Sequence, residues 1–92
     1  MSNVTVKLFA NLRELANTRE LKVEASTVEE VLKKLIEKFG AEFKKELFVD
    51  ENKIRDEYLL LVNGKNFEFL DGLKTKLKEN DVIAILPPVG GG

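Results

Sequence analysis

The stretch from Thr27 to Gly40 constrains the fold most, because it holds the chain's one long helical pattern. Val28, Val31, Leu32, Leu35, Ile36 and Phe39 recur at the i, i+3, i+4, i+7 spacing of a buried stripe. Thr27 and Glu30 have the spacing of a capping box, in which hydroxyl and carboxylate each satisfy an orphan N–H. Glu29 and Glu30 stand four residues before Lys33 and Lys34, the favoured orientation for ion pairs on the outer face. Gly40 supplies the left-handed residue that ends such a helix. A helix with a single apolar stripe must bury it against something, and the flanking sequence reads as strands.

Val4 to Phe9 alternates apolar and polar residues, with Val4, Val6 and Leu8 on one face and Thr5, Lys7 and Phe9 on the other. Leu12, Leu15 and Ala16 suit a short helical turn, and Leu21, Val23 and Ala25 form a second strand that pairs with the first. After the helix, Ala41 to Phe48 reads as a short amphipathic turn with Phe43 and Leu47 inward. Asp50 to Glu57 is charged and aperiodic, the pattern of a loop. Tyr58 to Val62 is an apolar strand closed by the turn dipeptide Asn63-Gly64. Phe67 and Phe69 alternate as a short strand, Leu73 and Leu77 fit one helical turn, and Val82 to Leu86 is the last strand, stopped by Pro87.

Strand, strand, helix, strand, short strand, strand is the order of an α+β domain with one helix across a mixed sheet. The β-grasp arrangement satisfies it: the first and last strands lie side by side at the centre. The chain's 92 residues fit one domain, 1–86, with an extended tail over 87–92.

Composition removes most conventional chemistry. Cysteine and histidine are both absent, which excludes disulfides, thiol nucleophiles, thiolate metal sites and the usual neutral-pH base. Ser2 and Ser26 have no histidine to activate them. Asp50, Glu51, Asp56 and Glu57 lack the spacing of a calcium loop, so neither a metal nor a bound cofactor is expected. Fifteen basic and 16 acidic residues leave a net charge of −1, giving no reason to expect nucleic acid or an anionic membrane as partner. No secretory signal or apolar run of spanning length is present, so the reading is a cytoplasmic protein.

The chemistry then falls on the tail, Pro87-Pro88-Val89-Gly90-Gly91-Gly92. Two prolines favour an extended rise of about 3.1 Å per residue, and glycines without Cβ pass through a narrow channel. If Ile83 and Ile85 face the helix, Val82, Ala84 and Leu86 face away from it. With Leu60 and Val62 inward, Leu59 and Leu61 also fall on that outer side. Phe9, Leu61 and Leu86 then form an exposed apolar patch at the tail's root, the expected docking surface. Arg13 and Lys65 stand as candidate charges on its rim.

Several segments resemble the ubiquitin-like MoaD/ThiS family, and within it the sulfur carriers of molybdopterin synthase. They are Leu8-Phe9-Ala10-Asn11-Leu12-Arg13-Glu14-Leu15, Val62-Asn63-Gly64, Asn80 to Val89 and the closing Gly91-Gly92. Gly90 stands at a position that varies in that family. The resemblance implies that an adenylating enzyme of the MoeB type activates the Gly92 carboxylate with ATP, and that sulfur transfer yields a thiocarboxylate. It implies that Gly91 permits entry of the tail, residues Pro87 to Gly90 lying along it, into a MoaE-like large subunit, where sulfur passes to a pterin precursor. The chain itself holds no catalytic site in this scheme. Three other readings share the sequence: a protein modifier joined through Gly92 to lysines, a sulfur donor for tRNA thiolation or thiazole synthesis, and a non-reactive β-grasp binding module.

Overall fold

A computed structural model describes residues 2–50 and 53–87. Strands β1 (Ser2–Leu8), β2 (Glu20–Ala25), β5 (Leu59–Val62), β6 (Lys65–Asn66) and β7 (Val82–Leu86) form one mixed sheet in the order β2-β1-β7-β5-β6. β1 and β7 run parallel at its centre, with Leu8 beside Ile85, and every other pairing is antiparallel. This is the expected α+β arrangement. The helices are α1 (Ala10–Ala16), α2 (Val28–Phe39) and α3 (Ala41–Leu47).

Alternation along the strands sorts side chains as the sequence implies. Val4, Val6, Leu8, Leu60, Val62, Ile83 and Ile85 are buried on one face of the sheet, in a core shared with Val28, Val31, Leu32 and Leu35 of α2. Leu12 of α1 and Phe43 and Leu47 of α3 close that core at 0% exposure, so neither short helix is a surface ornament. Phe39 and Phe43 bring their rings to 5.3 Å across the α2–α3 corner. Gly40 makes the corner with φ at +91°, a conformation side chains resist.

The cap of α2 differs from the expected box in one detail. The Glu30 N–H donates to the Thr27 hydroxyl at 3.3 Å, as predicted. The Glu30 carboxylate, however, accepts from the Ser26 N–H at 2.6 Å, one residue before the cap, and this bond holds its pKa below the usual value. The Lys34 ammonium does not close an ion pair with Glu30; it donates to the Glu24 carbonyl and ties α2 to β2.

Three expectations are corrected. The segment read as a loop, Asp50 to Glu57, holds part of a two-stranded antiparallel ladder that begins before it: β3 (Phe48–Asp50) pairs with β4 (Lys53–Ile54), the buried residues being Phe48 and Ile54. Phe67 to Phe69 is a 3-10 turn and not a strand. The Asn66 side chain accepts from the Glu68 N–H at 2.8 Å, a local bond that competes with the ladder after Lys65–Asn66. Leu77 lies outside the second 3-10 turn, Gly72–Lys74; its N–H donates to the Ser26 carbonyl, so Thr75 to Leu77 runs extended beside the start of α2. The Asn63-Gly64 turn is as expected, with φ of +51° and +86° at its two residues.

Candidate functional site

β7 sets the site because it is hydrogen-bonded on both sides and leads directly into Pro87. Its inward residues, Ile83 and Ile85, are fully buried, while Val82, Ala84 and Leu86 stay half-exposed on the opposite face. Across the ladder, Leu59 sits opposite Leu86 and Leu61 opposite Ala84. On the other side Lys7 lies beside Ala84, and continuing the parallel register brings Phe9 level with Leu86. Phe9 is still extended, at φ −134° and ψ 155°, so the alternation of β1 carries through it and its side chain leaves the core face.

The outer face therefore brings Phe9, Leu61 and Leu86 into neighbouring rows, all half-buried, next to the half-buried Pro87. Leu59, although placed on this side by its alternation, was not among the patch residues expected from sequence. At 38% exposure it is the most open aliphatic side chain of the face. Its importance depends on register with β7, since a one-residue slip would have turned it inward. Pro88, Val89, Gly90, Gly91 and Gly92 lie outside the described residues.

The chain turns from β1 into α1 within a single residue. Ala10 has φ of +49°, a region that costs an L-residue roughly 1–2 kcal/mol. That turn lets Phe9 face outward while Leu12, three residues on, is wholly buried. Arg13 then folds back over Phe9: its guanidinium lies 5.6 Å from the ring centroid, and its Nε donates to the Leu8 carbonyl at 3.4 Å. Lys65, the other candidate rim charge, is exposed on the edge strand β6 at the far end of the sheet, beside the Asn63-Gly64 turn.

At that far end, Asn63 and Asp81 lock the entry to β7. The Asn63 amide donates to Asp81 at 2.9 Å, and its oxygen accepts from the Val82 N–H at 2.9 Å. Among the described residues no group of three or more carboxylates is arranged to hold a metal, and no helix is long and apolar enough to cross a membrane.

Comparison with known proteins bears on what this arrangement is. Over 95 residues the chain is 38% identical to the molybdopterin synthase sulfur carrier subunit of Drosophila melanogaster, covering 98% of this chain and 91% of that protein. The solution structure of small archaeal modifier protein 1 from Methanosarcina acetivorans is similar with a TM-score of 0.87 and 42% identity, covering 100% of this chain and 98% of that one. A chain in the Amycolatopsis orientalis BexX/CysO complex matches with a TM-score of 0.83 and 27% identity, covering 97% of this chain and 99% of that one. The ThiS family model matches residues 6–92, from the second inward valine of β1 through the terminal glycines, and this chain belongs to the ThiS family.

Proposed function

We propose that the chain is a cytoplasmic sulfur carrier for molybdopterin synthesis, with the Gly92 carboxylate as its reacting group. The observation that carries this reading is that the central strand β7 leads directly into Pro87, the first residue of the Pro87–Gly92 sequence, beside an outward apolar face. The likeness to the fly sulfur carrier subunit over nearly the whole chain supports the choice of acceptor.

The chemistry follows from the acyl group. A terminal carboxylate, with a pKa near ~3.5, is ionised at neutral pH and a poor acyl donor. An adenylating partner of the MoeB type supplies ATP; the carboxylate oxygen attacks the α-phosphate, pyrophosphate leaves, and AMP becomes the leaving group. Attack of a sulfide-level nucleophile on the acyl carbon forms the C–S bond as AMP leaves and gives the thiocarboxylate, which a MoaE-like large subunit presents to the pterin precursor. This chain contributes no catalytic side chain to those steps. Phe9, Leu59, Leu61 and Leu86 dock the partner, Pro87 and Pro88 stiffen the root of the tail, and Val89 and Gly90 lie along the channel. Gly91 allows the bend that brings Gly92 to the reacting centre.

Intact-mass measurement on protein purified from its native cell tests the reading. A fraction should carry the mass change for one oxygen replaced by sulfur, mapped to Gly92. Removal of Gly92 should abolish sulfur delivery with thermal unfolding unchanged; delivery by the truncated chain would refute the mechanism. A second reading, as a protein modifier, is favoured by the similarity to small archaeal modifier protein 1. Ladders of larger species containing Gly92 joined to lysine would establish it, since both fates start from the same adenylate.

A further inference from the structure

The outer face is not charge-neutral at its margin. Lys7, Phe9, Arg13, Arg19 and Glu20 line one concavity beside the end of β1. Lys7 and Arg19 are exposed, and Arg13 is half-buried over the Phe9 ring. No described carboxylate lies within ion-pair distance of these three cations. Glu20, opposite Lys7 across the β1–β2 ladder, is the one acid in the concavity. In a chain whose net charge is −1, three cations to one acid is a local excess of positive charge around one outward aromatic.

Resting on the carrier reading, we propose that this rim selects the partner's surface: an apolar socket for Phe9, ringed by carboxylates that meet Lys7 and Arg19. Arg13 is the positioning residue. Its hydrogen bond to the Leu8 carbonyl fixes the guanidinium, and the guanidinium holds the ring facing out of the sheet. The occupant is a folded acidic protein surface and not nucleic acid. Three cations with one acid among them fall short of the roughly 6–10 phosphate contacts of a typical DNA-binding surface, and the adjoining residues Leu59, Leu61 and Leu86 match apolar side chains.

Charges at a rim act mainly on the rate of encounter, and their effect fades as salt shortens the Debye length. A central aromatic in a socket acts mainly on dissociation. The two contributions therefore separate kinetically.

The test is association of the full chain with the adenylating enzyme of its own organism, followed at low and high ionic strength. For the Lys7→Glu, Arg19→Glu double variant, the on-rate at low salt should fall by about tenfold or more, with little change in off-rate. The fall of the wild-type on-rate with rising salt should vanish or invert in the double variant. Phe9→Ala should raise the off-rate at either ionic strength. Thermal unfolding of the double variant should match wild type, because both side chains are exposed. The same measurements on chains lacking Gly92 separate docking from chemistry: a charge-dependent on-rate there supports the rim even if Gly92 carries no sulfur. An on-rate that ignores the double reversal at every salt concentration overturns the rim alone. Loss of binding to a single-stranded oligonucleotide, with enzyme binding untouched, overturns it in favour of a nucleic-acid surface. Failure of the wild-type chain to bind the enzyme removes the carrier reading and the rim together.

Discussion

Two consecutive residues of β7 lie on opposite faces of the sheet, and truncating each in turn tests whether the inner one serves folding and the outer one the proposed docking. Ile85 is fully buried between sheet and helices, whereas Leu86 is half-buried on the outer face opposite Leu59. Cutting a buried isoleucine to alanine removes transfer energy and leaves a cavity, a cost of about 2–5 kcal/mol. Leu86 loses only part of the roughly 1.5–3 kcal/mol that full burial gives and leaves no enclosed void, so about 1 kcal/mol is expected. A domain of 92 residues has a total stability of about 5–14 kcal/mol, so the first loss is a large fraction and the second a small one. At this size each kcal/mol moves the melting temperature by about 4–8 °C. Ile85→Ala should therefore melt at least ~8 °C below wild type, and Leu86→Ala only ~4–8 °C below. Urea unfolding checks the same ranking, provided the m-values agree. Leu86→Asp, which presents a charge to the partner, should remain folded and lose about tenfold or more in affinity for the adenylating enzyme. If Leu86→Ala costs as much as Ile85→Ala, or Leu86→Asp binds like wild type, the assignment of the two faces is wrong.

Ala10→Gly relieves the positive φ at the start of α1, a gain of roughly 1–2 kcal/mol against about 0.4–1 kcal/mol of added unfolded-state entropy. Calorimetry should show a melting temperature raised by a few degrees; a lowered one would mean that the turn is unstrained. Burial, and then the Glu46 carboxylate that accepts its hydroxyl at 2.5 Å, push the Tyr58 phenol well above its ordinary range. The folded state thus keeps a proton that the unfolded chain releases near pH ~10, so this contribution is intact below that pH and declines as pH rises above it. Tyr58→Phe should cost about 1 kcal/mol at neutral pH and fall less steeply from pH 9 to 11 in urea titrations. An identical alkaline decline in both proteins would remove Tyr58 from the account.

What was legible in the sequence was whatever repeats over several turns or several strand residues. The α2 stripe runs from Val28 to Phe39, and the helix has those same bounds, because its six apolar positions agree with its cap. The alternation of β1 and β7 gave the correct inward sets, and hence the outward sets that make the candidate face. Short elements were not legible. β3 and β4 carry a single inward residue each, Phe48 and Ile54, which is too little for a period to show. Phe67 and Phe69 mimic a strand's alternation, yet Phe69 is 86% exposed, because the Asn66 side chain starts a 3-10 turn there. The alternation of its own strand put Leu59 on the outer side, but its place opposite Leu86 is a fact of register that one strand's sequence does not contain.

The position of β7 also explains why a carrier of this kind needs no pocket of its own. A strand paired on both sides belongs to the most slowly opening part of a sheet, so whatever extends from it is held by the global stability of the domain. The same strand presents Val82, Ala84 and Leu86 outward, so the candidate docking face and Pro87 are set by one element. A partner that grips this face therefore sets the origin and direction of the tail without further ordering of the domain. Under the carrier reading, successive partners need only share the socket for Phe9 and the channel for the glycines. Their catalytic groups are free to differ, because the domain supplies the address and the tail supplies the acyl group.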